Sequence, residues 1–414
     1  MTTEGAPPFY TVLPFVLMLL AIAICPLRVP HWWESNRNKL VVSLVLGVPI
    51  LALYLVRHPA ALLATAEDYV SFIVLLAGLY AISGGILMRG DVVATPVTNA
   101  AFLGGGAVLA SFVGTTGASM LLIRPLLQTN QERTHVRHTV IFFVFLVSNI
   151  GGMLTPLGDP PLFLGYLQGV PFVWTFRLWP HWLMMTAVLL AVYVVWDTRA
   201  YAREPLAAIL KDRVRVEPIR VRGTLNLVWL GGVVGAVALL HAPWREAVIA
   251  GLAAVSLWRT PRAIRRANGF TASPIVEVAV LFFGIFLTMV PALELLRLRG
   301  GELGVRQPWQ FFWTTGALSS FLDNAPTYLT FLALGQGLRL PNEVVGVPHA
   351  ILAAISVGAV AMGANSYIGN APNFMVKAIA EDAGVKMPSF FGYMAYSSLI
   401  LVPLFVLVTV IFFG

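Results

Sequence analysis

Long apolar runs separated by short polar loops make up most of this chain. A helix that crosses a bilayer needs about 20 predominantly apolar residues, and shorter or broken runs suggest elements that enter without crossing. By that measure spans are predicted to begin near Phe9, Lys39, Tyr69, Thr139, His181, Leu225, Arg245, Ile275, Ala350 and Phe390. Two further stretches, Val92 to Leu127 and Trp309 to Gln336, are long enough to enter but carry "GTTGAS" and "DNAPT" at their centres. Each is predicted to be a helical hairpin that dips in and returns on its own side. The predicted fold class is an all-α polytopic membrane protein with about 10 spans and two re-entrant hairpins.

The polar interruptions occur in pairs. "TPLGDPPLF" (Thr155 to Phe163) and "SYIGNAPNF" (Ser366 to Phe374) match at six of nine places when Thr/Ser, Leu/Ile and Asp/Asn are taken as equivalent. "SFVGTTGAS" at Ser111 and "SFLDNAPTY" at Ser320 share their first two residues, and each precedes its partner break by a similar interval, 44 residues (155 − 111) and 46 residues (366 − 320). "LLAGLYAISGGI" from Leu75 and "LFFGIFLTMVPA" from Leu281 run in parallel register upstream. The chain therefore divides into a first repeat (1–197), a basic linker (198–223) and a second repeat (224–414), each repeat with a hairpin and a discontinuous helix. Five crossings per half plus a returning hairpin start the second half from the opposite face, so the repeats are expected to be inverted. Inverted repeats with discontinuous helices are a signature of secondary transporters.

Composition agrees with a membrane protein. Of 414 residues 58% are hydrophobic and 11% charged, with mean hydropathy +0.81, against roughly 25% charged in soluble domains. The net charge of +8 would suit nucleic acid, yet the basic residues lie in short loops. Twenty of the 27 Lys and Arg fall in the segments around Cys25 to Lys39, Arg89, Arg124 to Arg137, Asp197 to Arg222, Arg259 to Arg266 and Lys377 to Lys386, and these are expected on the cytoplasmic side. They read as topology signals, and no nucleic-acid partner is expected. The single cysteine, Cys25, excludes a disulfide framework and a cysteine metal site. His135 and His138 have a spacing that would suit a ligand pair, but they flank a span in a basic loop. Glu4 and the lack of Lys or Arg before Phe9 speak against a secretory leader, so the first run is expected to stay as a membrane helix.

Three carboxylates remain after loops and segment ends are set aside: Asp159 in the first break, Asp323 at the second hairpin tip, and Glu277 near the start of a span, where it can reach interfacial water. Ionisable groups within a membrane are functional candidates by default. With no Lys or Arg clearly placed at the midplane, Asp159 and Asp323 are expected to take a proton or bind a cation such as Na⁺. Neutral oxygen donors suited to a hard cation surround them: Ser111, Thr115, Thr116, Asn149 and Thr155 in the first half, and Asn324, Thr327, Asn365, Ser366, Asn370 and Asn373 in the second. Gly114, Gly117, Gly158 and Gly369 would let backbone carbonyls approach.

The strings "SNIGGMLTPLGDPP", "SSFLDNAPTY" and "NSYIGNAPNF" resemble the motifs of the ion transporter superfamily, specifically its sodium/proton antiporter and arsenite permease branch with the citrate-transporter-like domain. The resemblance covers nearly the whole chain. It implies sodium-binding positions where each hairpin tip meets its broken helix, and a homodimer in a bacterial-type inner membrane. Relatives that carry dicarboxylates with sodium place a Ser-Asn-Thr triplet at each hairpin tip, whereas this chain has "GTTGAS" and "DNAPT", a departure that argues against a dicarboxylate site of that type.

Three functions compete at this stage. The first is exchange of Na⁺ for H⁺, with Asp159 and Asp323 as exchanging carboxylates and no cofactor beyond the coupling ion. The second, in the same fold, is Na⁺- or H⁺-coupled transport of an anion or metalloid, such as a citrate-like carboxylate or arsenite. The third is an intramembrane aspartyl protease; against it, "PLGD" lacks the first glycine of the Gly-x-Gly-Asp signature, and proteolysis gives no reason for a duplication. A transporter rather than an enzyme is the expectation.

Overall fold

The computed structural model describes residues 7–214, 216–341 and 343–414. Residues 1–6 of the predicted first repeat, Arg215 of the basic linker and Asn342 of the second repeat lie outside the described residues. Among those described, seven helices are long and apolar enough to cross a membrane: Phe9–Arg28, Asn36–Arg57, Pro59–Ser83, Pro96–Val113, Phe172–Tyr201, Ser273–Leu303 and Phe390–Phe413. Arg137–Met153, Leu225–Leu239 and His349–Asn365 are shorter apolar helical stretches. The chain is a multi-pass membrane protein.

Nine of the ten predicted span starts fall within three residues of a helix start, and Tyr69 is the exception. Its helix begins at Pro59, because "PAALLATAE" is rich in the helix-favouring Ala and Leu and a proline is well placed in a first turn. Hydropathy alone discounts that stretch for its Glu67 and Asp68. Two elements differ in length from expectation. Pro96–Val113, read as a hairpin arm, has the length and hydropathy of a full span. Trp244–Arg259, read as a span, has only 16 residues, and Arg245 and Glu246 are paired at its start.

The helices sort by what surrounds them. Asn36–Arg57, Pro59–Ser83 and Ser273–Arg299 pack on one another, and outward apolar residues such as Val45 and Val56 remain exposed, as a lipid-facing surface requires. By contrast, His138 through Leu146 are buried without exception on Arg137–Leu146, and so are Ala354 through Met362 on His349–Met362. A helix buried on every face belongs in the middle of a bundle. These two are the helices that break.

One element departs from an all-helical reading. Leu87–Asp91 (β1) and Glu217–Arg222 (β2) form an antiparallel pair, with Leu87 opposite Arg222, Met88 opposite Val221 and Arg89 opposite Arg220. β1 packs on the helix Thr115–Thr129, so this ribbon ties the linker between the halves to the base of the first hairpin. At the same basic end lies a buried ion-pair cluster. Arg133 donates to Asp197 at 3.0 Å, His138 Nε2 pairs with Asp197 Oδ1 at 2.8 Å, and Asn99 and Asn130 exchange amide hydrogen bonds beside them. Burial alone would raise Glu204, but the N–H groups of Thr134 and His135 and the charge of Arg133 outweigh it and hold the carboxyl below its usual range. His135 and His138 thus turn to different carboxylates and form no ligand pair.

Removing one partner of a buried ion pair leaves the other charge uncompensated, typically at a cost of about 3–5 kcal/mol. Asp197→Ala and Arg133→Ala are therefore each expected to lower the unfolding midpoint of the purified protein in detergent, and the double variant to lose clearly less than the sum of the two. Strict additivity would show that the pair is not coupled.

Candidate functional site

Each half builds its hairpin tip and its helix break from the same local parts. In the first half the arms Pro96–Val113 and Thr115–Thr129 meet at Gly114, whose φ of 82° lies in the region open chiefly to glycine. In the second, Pro308–Ser319 and Asn324–Gly337 meet through Ser320 to Asp323, and the Asp323 side chain accepts from Ala325 N at 3.0 Å as an N-cap. A glycine makes one turn and a capping aspartate the other.

The breaks also correspond. Arg137–Leu146 ends, a short turn at Ile150–Met153 follows, and helix resumes at Pro160–Leu167. His349–Met362 ends, Gly363–Asn365 turns, and helix resumes at Ala371–Asp382. The residues before the restarts, Asp159 (φ −145°, ψ 143°) and Asn370 (φ −152°, ψ 138°), have nearly the same extended backbone. Pro160 and Pro161 in the first half and Pro372 in the second occupy first-turn positions, where the missing N–H costs nothing.

Matching hydrogen bonds seal each tip to its break. Ser111 Oγ donates to the Gly151 carbonyl at 2.5 Å, and Ser320 Oγ lies 3.1 Å from the corresponding Met362 carbonyl, its one hydrogen shared with the Gly316 carbonyl of its own helix at 2.8 Å. Thr155 Oγ1 donates to the Ser111 carbonyl, and Ser366 Oγ to the Ser320 carbonyl. The same hydroxyls of Thr155 and Ser366 accept from Leu157 N at 3.1 Å and from Ile368 N at 3.3 Å. Backbone groups freed by a broken helix need partners in a bilayer, and these side chains supply them.

Asp159 stands where the halves meet and is 1% exposed. Its Oδ1 accepts from Thr115 Oγ1 at 2.8 Å and from Asn370 Nδ2 at 3.1 Å, and its Oδ2 from Asn324 Nδ2 at 2.6 Å. Thr115 and Asn324 are the first residues of the second arms of the two hairpins, and Asn370 holds the place in the second break that Asp159 holds in the first. Asn370 also donates to Asn149 Oδ1 at 3.2 Å, and Asn149 donates to Asn373 Oδ1 at 2.7 Å. Asn373 donates in turn to the carbonyls of Gly363 and Ser366. No Lys or Arg pairs with Asp159 among the described residues.

The other predicted residues take separate places. The Gly158 carbonyl accepts from Thr115 N at 2.8 Å. Thr116 is half-buried at the same helix start. Asn365 donates to Ser320 Oγ at 2.9 Å, while its Oδ1, like Asn324 Oδ1, is buried without a hydrogen bond among the described residues. Asp323 caps its own helix, and Thr327 donates to the Asp323 carbonyl at 2.9 Å, so neither joins the hydrogen bonds on Asp159. Glu277 pairs with the buried Lys39 at 2.6 Å. Sequence reading misses Ser119 and Ser148, which share a hydrogen bond of 2.8 Å beside the site; their isolated hydroxyls give no signal. A cavity of about 950 Å³ at the basic end is walled in part by Arg124, Arg133, His135, Arg137 and Lys386, and none of its walls belongs to the Asp159 network.

Paired hairpins and broken helices around a buried carboxylate define this chain as a multi-pass membrane transporter. It belongs to the family described as "Putative citrate transport", which it matches over residues 4–413. No curated protein matches the sequence.

Close backbone approach at the first break gives a test of its construction. A Cβ on Gly158 would lie 2.1 Å from the Gly152 carbonyl oxygen, whereas one on Gly105 would meet nothing within 4 Å. Gly158→Ala is expected to destabilise the purified protein by about 1–3 kcal/mol or more, and Gly105→Ala to leave the thermal midpoint unchanged or raised. Equal midpoints for the two variants would show that the break is not packed this way.

Proposed function

We propose that the chain is an ion-coupled secondary transporter for a small polycarboxylate of the citrate class, with Asp159 as the group that couples ion to substrate. The observation that carries this reading is the Asp159 carboxylate, buried and held by neutral donors from both halves. Hydrogen bonds to a charged group contribute about 1.5–3 kcal/mol each, and burying an unpaired ion costs several kcal/mol. The two are of the same size, so the binding or loss of one H⁺ or Na⁺ can shift how firmly the halves hold together. Asn324 Oδ1, which accepts no hydrogen bond among the described residues, and the carbonyls at the breaks are hard oxygen ligands suited to Na⁺. Asp323 serves this mechanism as a helix cap.

The paired breaks support two inverted repeats as the moving parts, with alternating access through the rocking of one repeat against the other. The family description supports the substrate class, and so does the basic cavity, which would gather a multivalent anion. We assign the working state to a homodimer in a bacterial-type inner membrane on the strength of the family resemblance.

The test is uptake of labelled citrate by proteoliposomes under an imposed H⁺ or Na⁺ gradient. The parent is expected to take up citrate only with a gradient, Asp159→Asn to fall to the level of protein-free vesicles, and Asp323→Asn to keep gradient-driven uptake if it folds. Gradient-driven uptake by Asp159→Asn at the parental level would refute the role of Asp159. Na⁺-driven proton movement in the parent without citrate uptake would replace this reading by Na⁺/H⁺ antiport.

A further inference from the structure

Away from the Asp159 network, three carboxylates meet at the basic end. One oxygen from each of Asp91, Glu132 and Asp212 lies within 4.8 Å of the others. They come from distant parts of the chain: the end of β1, the loop after the first hairpin, and the helix Leu206–Val214 in the linker between the halves. Acidic residues on a wet surface often gather without consequence, but these are not on one. Asp91 is 4% and Asp212 3% exposed, and the Glu132 side chain 1%.

The hydrogen bonding leaves room for a ligand. Asp91 Oδ2 accepts from Gln131 Nε2 at 3.1 Å, and Asp212 Oδ2 from Ala94 N at 3.0 Å. Among the described residues, neither carboxylate oxygen of Glu132 accepts a hydrogen bond, and Asp212 Oδ1 accepts none. The half-exposed Lys211 approaches Glu132 Oε1 only to 3.7 Å, and the other positive charges near Asp212 are Arg133, which is hydrogen-bonded to Asp197, and Arg213.

We propose that Asp91, Glu132 and Asp212 form a binding site for a hard divalent cation of the Mg²⁺, Mn²⁺ or Ca²⁺ class. Three carboxylates supply the charge and the oxygen donors that such ions prefer, and water completes the shell. A bound ion would fasten the linker helix to β1 and to the loop that follows the first hairpin. Ala94, which already bonds Asp212, lies just before that hairpin's first arm, so the ion would brace the hairpin's base. The site is independent of the transported substrate.

Electron paramagnetic resonance of Mn²⁺ with the purified full-length protein, in citrate-free detergent buffer, tests the proposal. Parent and Asp159→Asn are expected to bind one Mn²⁺ per chain alike. Glu132→Gln and Asp212→Asn are expected to weaken it by at least about tenfold, as loss of ligand charge does, and Lys211→Ala to keep or tighten it. Mn²⁺ should raise the thermal midpoint of the parent but not of Glu132→Gln. No binding at millimolar Mn²⁺, or binding that survives intact in both Glu132→Gln and Asp212→Asn, would overturn the proposal. Loss in Asp159→Asn alone would move the ion to the central site and overturn it equally.

Discussion

The interaction on which the rest depends is the set of hydrogen bonds from Thr115, Asn324 and Asn370 to the Asp159 carboxylate. Each donor lies at or beside a helix start, and the three come from two hairpins and the opposite break. The position of Asp159 therefore requires both hairpins to end where they do. A carboxylate placed among hydrocarbon would otherwise be among the costliest groups in the chain. Neutral donors reduce that cost without fixing a permanent positive charge beside it.

The breaks follow from the same constraint. A continuous helix would satisfy its backbone within itself and offer no polar surface within the bilayer. Opening the helix exposes carbonyls and N–H groups, and Ser111, Thr155, Ser320 and Ser366 take up the freed groups in matching ways in the two halves. Where the halves differ, they differ at the positions that matter for charge. Asp159 faces its counterpart Asn370, and Gly114 corresponds to Asp323. One half presents the carboxylate and the other presents an amide to it.

The paired motifs are legible in the sequence because polar, proline-bearing strings stand out against apolar runs. Their donors can be named from it, but their partners cannot. That Asn324 and Asn370 both cross to Asp159 is set by packing between halves, which a single sequence does not record. The same holds for Lys39 with Glu277 and for Arg133 with Asp197, whose members look like separate loop or interface charges. Asp91, Glu132 and Asp212 each resemble a solvated carboxylate until the linker folds over them. Sequence reading ranks Asp323 beside Asp159, although a short polar side chain at a helix start is as well suited to capping as to ion exchange. The β1–β2 ribbon escapes it because the strands are short and far apart in the chain.

Infrared difference spectroscopy of the purified protein tests the central role of Asp159 most directly, since it reads protonation of carboxyl groups without requiring the substrate. Spectra recorded on a step in pH or on addition of Na⁺ are expected to contain a carboxyl band that is absent in Asp159→Asn and retained in Asp323→Asn. A band that persists unchanged in Asp159→Asn would contradict the account.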